Sequence, residues 1–203
     1  MTRVSLRRAD RVSAILERLA TDRSLNAAAL AREFGVSPAT LRRDMEMLED
    51  QRLLTRTHGG AVANSASPEL PVRYRGNIHR EEKRAIAALA ASLLPRGLLT
   101  VGITGGTTTS ELARHLAARM DLTVVTNALN IGADLALLPR VKVIMTGGVA
   151  RPQSYELSGP YAVQTLASMN LDVTVLGVDA VSVEGGISTH NESEAATNRA
   201  MIT

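Results

Sequence analysis

The chain has 203 residues, a formal net charge of +3, no cysteine and a single phenylalanine. Without cysteine it has neither disulfides nor thiolate metal sites, and we expect neither a metal nor a cofactor. No apolar run approaches the roughly 18 residues of a membrane span, and the charged N-terminus lacks the apolar core of a signal peptide. These features predict a soluble, cytoplasmic protein with no membrane partner, long enough for one small domain and one larger α/β domain.

Residues 28–62 have the pattern of a winged helix-turn-helix, with two short helices, a tight turn and a small β-ribbon. The first helix has apolar residues at helical spacing: Ala28, Leu30, Ala31 and Phe34. Gly35 supplies the positive φ that ends this helix, and Val36 then fills the turn. Ser37 is a good N-cap for the second helix, with Pro38 at its first position. The apolar positions of the second helix are Leu41, Met45 and Leu48.

The opposite face of the second helix predicts a DNA-binding surface, because the early residues of such a helix reach the edges of bases. We expect DNA contacts from this helix and from the β-ribbon: Ser37, Ala39, Thr40, Arg42, Arg43, Arg56 and His58. Residues 1–63 contain eleven arginines and eight acidic residues, whereas the rest of the chain is balanced. An arginine-rich surface is otherwise an ordinary solvated face. With the helix-turn-helix spacing, it favours double-stranded DNA as the partner.

A connector and an α/β domain follow. Residues 63–76 are rich in small residues and proline, and they predict an exposed linker between domains at 1–62 and 77–203. Asn77 is a suitable cap for a helix with an apolar stripe at Ile86, Leu89, Ala90 and Leu93. Strands then alternate with helices, which predicts a Rossmann-like parallel sheet. The predicted strands are 98–103, 122–126, 141–146 and 171–179, and the predicted helices are 107–120, 128–138, 159–168 and one beginning near Glu192.

Ligands of such sheets bind beyond the carboxyl ends of the strands, where the polar residues of this domain are concentrated. The loop TGGTTTS at 104–110 is the strongest candidate. Gly105 and Gly106 allow close backbone approach, and Thr107 and Thr108 offer hydroxyls and amides at a helix N-terminus, which suits a phosphate. The loop lacks both nucleotide-binding fingerprints. The alternative is a plain strand-to-helix turn, just as Asn127 is a common cap residue and the TGG at 146–148 a common turn.

These motifs resemble the DeoR family of bacterial transcriptional repressors, over essentially the whole chain from about Leu6. In the first domain they are GVSPATLRRDMEMLE and RTHGGA, and in the second GGTTTSEL, VVTNALNIG, VIMTGGVARPQSYELSGP and GGISTHNESEAATNRAMI. The resemblance implies operator DNA as partner and a C-terminal effector domain, akin to the sugar-phosphate isomerase fold, that senses a phosphorylated sugar. The implied ligand residues are Gly106, Thr107, Thr108, Asn127, Gly147, Gly148, Asp179, Thr189 and Glu194. We also expect Gly105 to be a ligand residue, because of its place in the TGGTTTS loop.

Four features depart from the family pattern. Arg52 replaces a usual Gly at a position that often takes the left-handed conformation, which should cost roughly a kcal/mol or less. Thr104 replaces a frequent Asp, which weakens the case for recognition of sugar hydroxyls. Asn198 replaces a frequent Lys, so the phosphate would need another cation: Arg199, His190, Arg151 or Lys142. Finally, the chain stops at Thr203, about fifty residues short of family members, which predicts a truncated effector domain with an unpaired sheet edge.

The sequence therefore predicts an α/β protein with an N-terminal winged helix-turn-helix. We expect a repressor of a sugar-metabolism operon, released or modulated by a phosphorylated sugar. One small winged helix makes few base contacts, so we expect a homo-oligomer, a dimer or tetramer formed through the effector domain. A regulator with a non-sugar effector is the main alternative. A sugar-phosphate isomerase with Asp179 and Glu194 as acid and base is the other, but fold alone does not establish function and we expect no enzymatic activity.

Overall fold

The computed structural model describes residues 7–64, 69–117 and 122–203. The chain divides into two compact units, Met1–Ile78 and His79–Thr203. Across the described residues, no helix is both long enough and apolar enough to cross a bilayer. Residues 65–68 of the predicted connector and the predicted end of the 107–120 helix lie outside the described residues.

The first unit has four helices and three strands among its described residues. The helices are α1 (Arg8–Asp22), α2 (Ala27–Phe34), α3 (Pro38–Asp50) and α4 (Val72–Arg75), and the strands are β1 (Ser24–Asn26), β2 (Leu54–Thr57) and β3 (Gly60–Ala63). The strands form an antiparallel sheet in the order β1-β3-β2. Strands β2 and β3 are the predicted ribbon, and the sequence pattern did not reveal β1.

The helix-turn-helix has the predicted caps. Gly35 ends α2 with φ 66°, and the Ser37 hydroxyl accepts a hydrogen bond from the Thr40 amide at 3.1 Å. Leu41, Met45 and Leu48 are buried as expected. Ala28 is exposed, contrary to the expected stripe of α2, because the buried face of this short helix is completed by Leu30, Ala31 and Phe34 alone.

Helix α1 supplies the part of this core that the pattern analysis did not assign to an element. Its buried residues Val12, Ile15, Leu16 and Leu19 join one cluster with α2, α3 and β2. At the same interface, Arg11 Nε donates to Asp44 Oδ2 at 2.5 Å, and both side chains are almost fully buried. One of the eleven arginines counted toward DNA binding is therefore committed to an internal ion pair.

The predicted connector is partly built into the first unit. Val72 on α4 is buried, and the Tyr74 hydroxyl donates to the side chain of Gln51, the C-cap residue of α3. Asn77 does not cap the next helix, because its Nδ2 donates to Asp10 Oδ1 at 2.7 Å. The following helix begins at Arg80 instead, so the division between the units falls later than the predicted linker.

The second unit contains the predicted parallel sheet. Its helices are α5 (Arg80–Leu93), α6 (Thr107–Leu116), α7 (Leu129–Ala136), α8 (Pro160–Leu166) and α9 (Glu192–Ile202). The sheet strands are β4 (Leu99–Ile103), β5 (Leu122–Thr126), β6 (Val141–Met145) and β9 (Val173–Val175), in the order β6-β5-β4-β9. All three strand pairs are parallel, so the four carboxyl ends lie along one edge.

Two short hairpins were not predicted. The first, β7 (Val149–Arg151) with β8 (Glu156–Ser158), lies in the loop expected after the third sheet strand. The second, β10 (Ala180–Ser182) with β11 (Gly186–Ser188), precedes α9. Both begin beyond the carboxyl ends of sheet strands, so they bring additional side chains to the edge where ligands bind in such folds.

The apolar stripe of α5 does not face the core, contrary to expectation. Ile86, Leu89 and Leu93 are 56%, 63% and 75% exposed. The buried side of the helix is instead lined by small residues, with Ala87 buried and Ala90 and Ala91 packed against the core. Small side chains allow a close approach to the neighbouring elements, and they leave an exposed apolar face, defined here by Ile86, Leu89 and Leu93.

Candidate functional sites

The start of α3 presents the predicted DNA-facing residues. Ser37, Ala39, Arg42 and Arg43 are exposed, and Thr40 is half-buried. The Thr40 hydroxyl lies 2.9 Å from that of Ser37. Neither Arg42 nor Arg43 takes part in an ion pair with any residue in the described part of the chain. Both guanidinium groups therefore remain available to phosphates or base edges.

The two predicted contacts from the ribbon are placed differently from each other. His58 is exposed in the turn between β2 and β3. Arg56 is held by α3, because its Nη1 lies 2.7 Å from Glu46 Oε1 and its Nε lies 2.7 Å from Glu49 Oε2. Hydrogen bonds from the Arg56 backbone and side chain lower the pKa of Glu49, so this ion pair braces the ribbon against the recognition helix. A DNA contact by Arg56 stays a prediction.

Most of the predicted effector residues follow sheet strands at one edge. Gly105, Gly106, Thr107 and Thr108 follow β4, Asn127 follows β5, Gly147 and Gly148 follow β6, and Asp179 follows β9. Thr189 follows β11, and Glu194 lies in the first turn of α9. Gly147 and Gly148 have φ values of 72° and 121°, and a side chain on Gly148 would collide with the Ser158 backbone. The edge therefore combines backbone-lined turns with polar side chains.

The β4–α6 loop has an open helix N-terminus. Gly106 is the N-cap residue with φ 133°, so it has no side chain to cap the first turn. The Thr109 and Ser110 hydroxyls both donate to the Gly106 carbonyl, at 3.0 and 2.7 Å. This leaves Thr107 and Thr108 as the hydroxyls of the loop available to a ligand. Gly105 contributes by its lack of a side chain, since a Cβ at this position would collide with the side chain of Glu156 on β8. Its carbonyl lies close to Gly177, where a side chain would collide with it.

Thr104 has a structural role in place of the family's Asp. Its side chain is fully buried, and its Oγ1 accepts a hydrogen bond from the Gly177 amide at 2.7 Å. Its own amide donates to the Val175 carbonyl at 3.2 Å. Thr104 thus joins the ends of β4 and β9 and holds the loop that leads to Asp179.

Asp179 and Glu194 are connected through Thr189. The Thr189 hydroxyl lies 2.9 Å from Asp179 Oδ2 and 3.4 Å from Glu194 Oε2. Burial raises the pKa of Asp179, but hydrogen bonds from the His190 side chain and backbone and from Thr189 outweigh it and lower the pKa to about 2. Asp179 is therefore an ionised hydrogen-bond acceptor at any physiological pH.

Glu194 is anchored by residues of the β7–β8 hairpin. Arg151 Nη1 lies 3.1 Å from Glu194 Oε1, and the Ser154 hydroxyl donates to the same oxygen. Asn191 caps α9 by accepting hydrogen bonds from the Ser193 and Glu194 amides at 3.0 and 3.2 Å. Of the four substitute cations, Arg151 is thus the one that the structure brings to Glu194.

The other candidate cations are placed less favourably. His190 pairs with Asp179 at 2.9 Å, Arg199 is exposed farther along α9, and Lys142 is exposed on β6 near its amino end. Asn198, which replaces the family's Lys, is buried, and its Oδ1 has no hydrogen-bond partner among the described residues.

Glu156 was missed by the sequence analysis. Its side chain comes from β8, is 6% exposed, and accepts a hydrogen bond from Asn127 Nδ2 at 3.1 Å. Burial, followed by the charge of Glu194, raises the pKa of Glu156 to about 7. The hairpin pattern alone contained no signal for it, because three-residue strands have too little periodicity to assign a face. No three or more His, Asp or Glu side chains of the described segments are grouped so as to hold a metal ion.

Comparison with known proteins identifies both units. The model of the DeoR C-terminal sensor domain matches residues 78–203, and the model of the DeoR-like helix-turn-helix domain matches residues 11–67. The chain belongs to the DeoR family. DeoR-family members are DNA-binding transcriptional regulators, so the N-terminal unit is its DNA-binding domain and operator DNA is its partner.

Several DeoR-family repressors are similar to most of the chain. A relative from Escherichia coli O157:H7, named for repression of the aga operon, is 36% identical over 95% of this chain and 72% of its own length. The glycerol-3-phosphate regulon repressor of Escherichia coli K12 is 31% identical over 97% of this chain and 78% of its own. The transcriptional repressor AccR of Agrobacterium fabrum is 35% identical over 95% and 75%.

Proposed function

We propose that this DeoR-family regulator represses an operon of sugar metabolism and that a phosphorylated sugar, bound at the strand-end site, releases or modulates it. The observation that carries the proposal is the meeting of the open β4–α6 loop with a hydrogen-bonded set of carboxylates and an amide at one sheet edge. The glycerol-3-phosphate regulon named for one relative supports an effector that is a phosphate ester.

On the DNA side, the guanidinium groups of Arg42 and Arg43 are exposed and form no ion pair with any residue that the structure describes, which favours contacts by both residues. Replacing an arginine that reads a base with Ala should cost about 1–3 kcal/mol and relax specificity at one position. Replacing an arginine that binds phosphate should weaken binding to all DNA sequences alike. It should also reduce the slope of log affinity against log salt concentration by about one.

Fluorescence anisotropy with a duplex selected in vitro by the parent protein tests this assignment. Arg42→Ala and Arg43→Ala are compared with Arg96→Ala, an exposed arginine of the second unit that removes the same charge. If both α3 variants bind as the parent and the Arg96 control do, α3 is not the recognition helix.

On the effector side, the α6 N-terminus supplies backbone amides and the hydroxyls of Thr107 and Thr108, which favour an anion. Asn127, Asp179 and Glu194 offer the acceptors and donors that bind sugar hydroxyls. Binding changes operator affinity only if it favours one arrangement of the DNA-binding domains, with a typical coupling of about 1–3 kcal/mol.

Calorimetry of the full chain with hexose and pentose phosphates, glycerol 3-phosphate and their unphosphorylated forms tests the site. The phosphorylated form should bind far more tightly, and Thr107→Ala with Thr108→Ala should weaken it without changing ligand-free operator binding. Thr165→Ala on α8 is the matched control, because its hydroxyl is bonded within its own helix. Equal binding of a sugar and its phosphate would refute the phosphate assignment. An effector that leaves operator affinity unchanged would refute the switch.

The exposed apolar face of α5 supports self-association of the effector domain. Three large apolar side chains exposed side by side on one helix are typical of an interface rather than of a solvated surface. Light scattering should show an oligomer for the parent and a smaller species for Leu89→Glu with Leu93→Glu, while Ser92→Glu leaves it unchanged. A monomeric parent at micromolar concentration would contradict oligomerisation, and an unchanged double variant would place the interface elsewhere.

Electrostatics argue against the isomerase alternative. A general acid or base works best with a pKa near the working pH, whereas hydrogen bonds hold the pKa of Asp179 at about 2. Arg151 and Ser154 both donate hydrogen bonds to the same oxygen of Glu194, Oε1. We therefore propose that these carboxylates bind ligand and do not exchange protons with it. Turnover of any phosphosugar in the calorimetric panel would refute this.

A further inference from the structure

Glu156 lies directly against the loop proposed to hold phosphate. A Cβ placed on Gly105 would collide with Glu156 Oε1, so the carboxyl group occupies the space that a side chain at position 105 would need. Glu156 enters this position from β8, and its amide donates to the Ser154 hydroxyl at 3.3 Å. A residue from an adjoining hairpin thus forms part of the wall of the β4–α6 loop.

The charged groups around Glu156 do not offset a second negative charge. Glu194 of α9 and Asp179 beyond β9 add negative charge, while Arg151 of β7 is paired with Glu194 and His190 with Asp179. No cationic side chain in the described part of the chain forms an ion pair with Glu156. The amide that donates to Glu156, Asn127, is fully buried, and its Oδ1 has no partner among the described residues.

A dianion on this loop would lie next to an uncompensated carboxylate, and such like charges repel strongly in a partly desolvated site. We infer that Glu156 contacts the effector as a neutral carboxylic acid that donates a hydrogen bond to its anionic group, so that binding of a phosphate ester takes up one proton from solvent. This inference rests on the proposed phosphate-binding role of the loop.

The protonation equilibrium of Glu156 agrees with this geometry. Burial and the charges of Glu194 and Asp179 raise its pKa to about 7, against the opposing effects of Asn127 and Arg151. An adjacent dianion raises the pKa further, because it disfavours the charged form. A ligand with an ammonium group at this place would have the opposite preference, since it would bind the ionised carboxylate and release a proton.

Sulfate is a suitable probe, because it stays a dianion across the range in which Glu156 titrates. The full chain is titrated with sodium sulfate at constant ionic strength between pH 6 and pH 8, with binding followed by thermal shift and calorimetry. The neutral fraction of Glu156 falls from about nine-tenths to about one-tenth over this range, so the apparent Kd should rise about tenfold. Glu156→Gln should bind independently of pH, and at pH 8 about tenfold more tightly than the parent.

Three further variants identify the titrating group and the site. His190→Gln should keep the pH dependence, and Glu184→Gln, an exposed carboxylate in the β10–β11 turn, should match the parent. Thr107→Ala with Thr108→Ala should weaken sulfate binding at every pH. A ¹³C titration of the parent's glutamate carboxyls gives a readout that does not depend on the folding of any variant, and sulfate should raise the midpoint of Glu156.

The outcomes separate the two proposals. Sulfate binding that depends on Thr107 and Thr108 but not on pH or Glu156 overturns the inference and leaves the phosphate-binding loop in place. Tighter binding at pH 8 than at pH 6, or a Glu156 midpoint that sulfate does not raise, also overturns it. No sulfate binding at any pH overturns both the inference and the loop assignment, while the repressor role is judged separately by operator binding.

Discussion

The buried ion pair between α1 and α3 gives the sharpest test of what holds the DNA-binding domain together. Asp44 belongs to the LRRD run of the family motif, yet its side chain is only 4% exposed and faces Arg11, which is 7% exposed. Asp44→Asn removes the buried carboxylate charge that Arg11 Nε contacts, which should cost about 3–5 kcal/mol. A domain of this size has about 4–12 kcal/mol of stability in total, so the loss is severe.

Arg8 makes a much smaller contribution to the same site. Its Nε lies 3.5 Å from Asp44 Oδ1, but its side chain is 65% exposed, so Arg8→Ala should cost at most about 1 kcal/mol. Replacing the whole pair by Arg11→Met with Asp44→Leu should recover most of the stability lost by Asp44→Asn, because apolar side chains of similar volume need no countercharge.

Urea denaturation followed by circular dichroism measures these differences, with Asp50→Asn at the exposed end of α3 as the control. The transition of the first unit should move to lower urea in Asp44→Asn with an unchanged slope, and operator binding should be lost in parallel. If Asp44→Asn lies within about 1 kcal/mol of Asp50→Asn, the pair does not hold α1 to α3 and the reasoning is wrong.

Two further predictions concern stability. Arg52 has φ 58°, so Arg52→Gly should relieve left-handed strain and stabilise the first unit by up to about 1 kcal/mol in the same urea assay, whereas Arg52→Val should destabilise it. Because the pKa of Glu156 is raised from 4.5 to about 7, the folded state holds its proton more tightly, and the second unit should lose up to about 3 kcal/mol between pH 4.5 and pH 7. Glu156→Gln should flatten that decline in a series of melting curves, and a slope equal to that of the parent would disprove it.

The sequence predicted the helix-turn-helix in detail because its signals are local. The Gly35 turn, the Ser37 cap and the buried positions of α3 each depend on residues within one or two turns of helix. The left-handed position at Arg52 was inferred in the same way from the family pattern and is confirmed. Arg11 and Arg56 could not be placed by such signals, because their partners lie 33 residues away in Asp44 and 7 and 10 residues away in Glu49 and Glu46.

Long-range packing also explains why the predicted orientation of the apolar stripe of α5 was wrong. Periodicity locates the apolar side of a helix, and it does not say whether that side meets its own domain or another surface. In α5 the core side is formed by Ala87, Ala90 and Ala91 and the larger apolar residues are exposed, which reverses the usual interpretation. An exposed apolar face of this kind becomes informative once the burial of each residue is known.

The candidate effector site was likewise predicted only in part from the sequence. The rule that ligands bind beyond parallel strands predicts Gly105, Asn127 and Asp179 at one edge. Arg151, Ser154 and Glu156 come instead from a hairpin whose strands are too short to predict. Those three residues set the electrostatics of the site, since they pair with Glu194 or contribute the carboxyl group beside Gly105.

The departures from the family pattern make sense in this electrostatic setting. An Asp at position 104 would add a further carboxylate next to Gly105, in a site where Glu156 already lacks a cationic partner among the described residues. Thr104 avoids that repulsion and still satisfies the Gly177 amide. Asn198 in place of Lys removes one positive charge as Thr104 removes one negative charge, so the two departures together leave the net charge unchanged. In the protonated form that we propose, Glu156 adds no negative charge beside a bound phosphate and can donate a hydrogen bond to it.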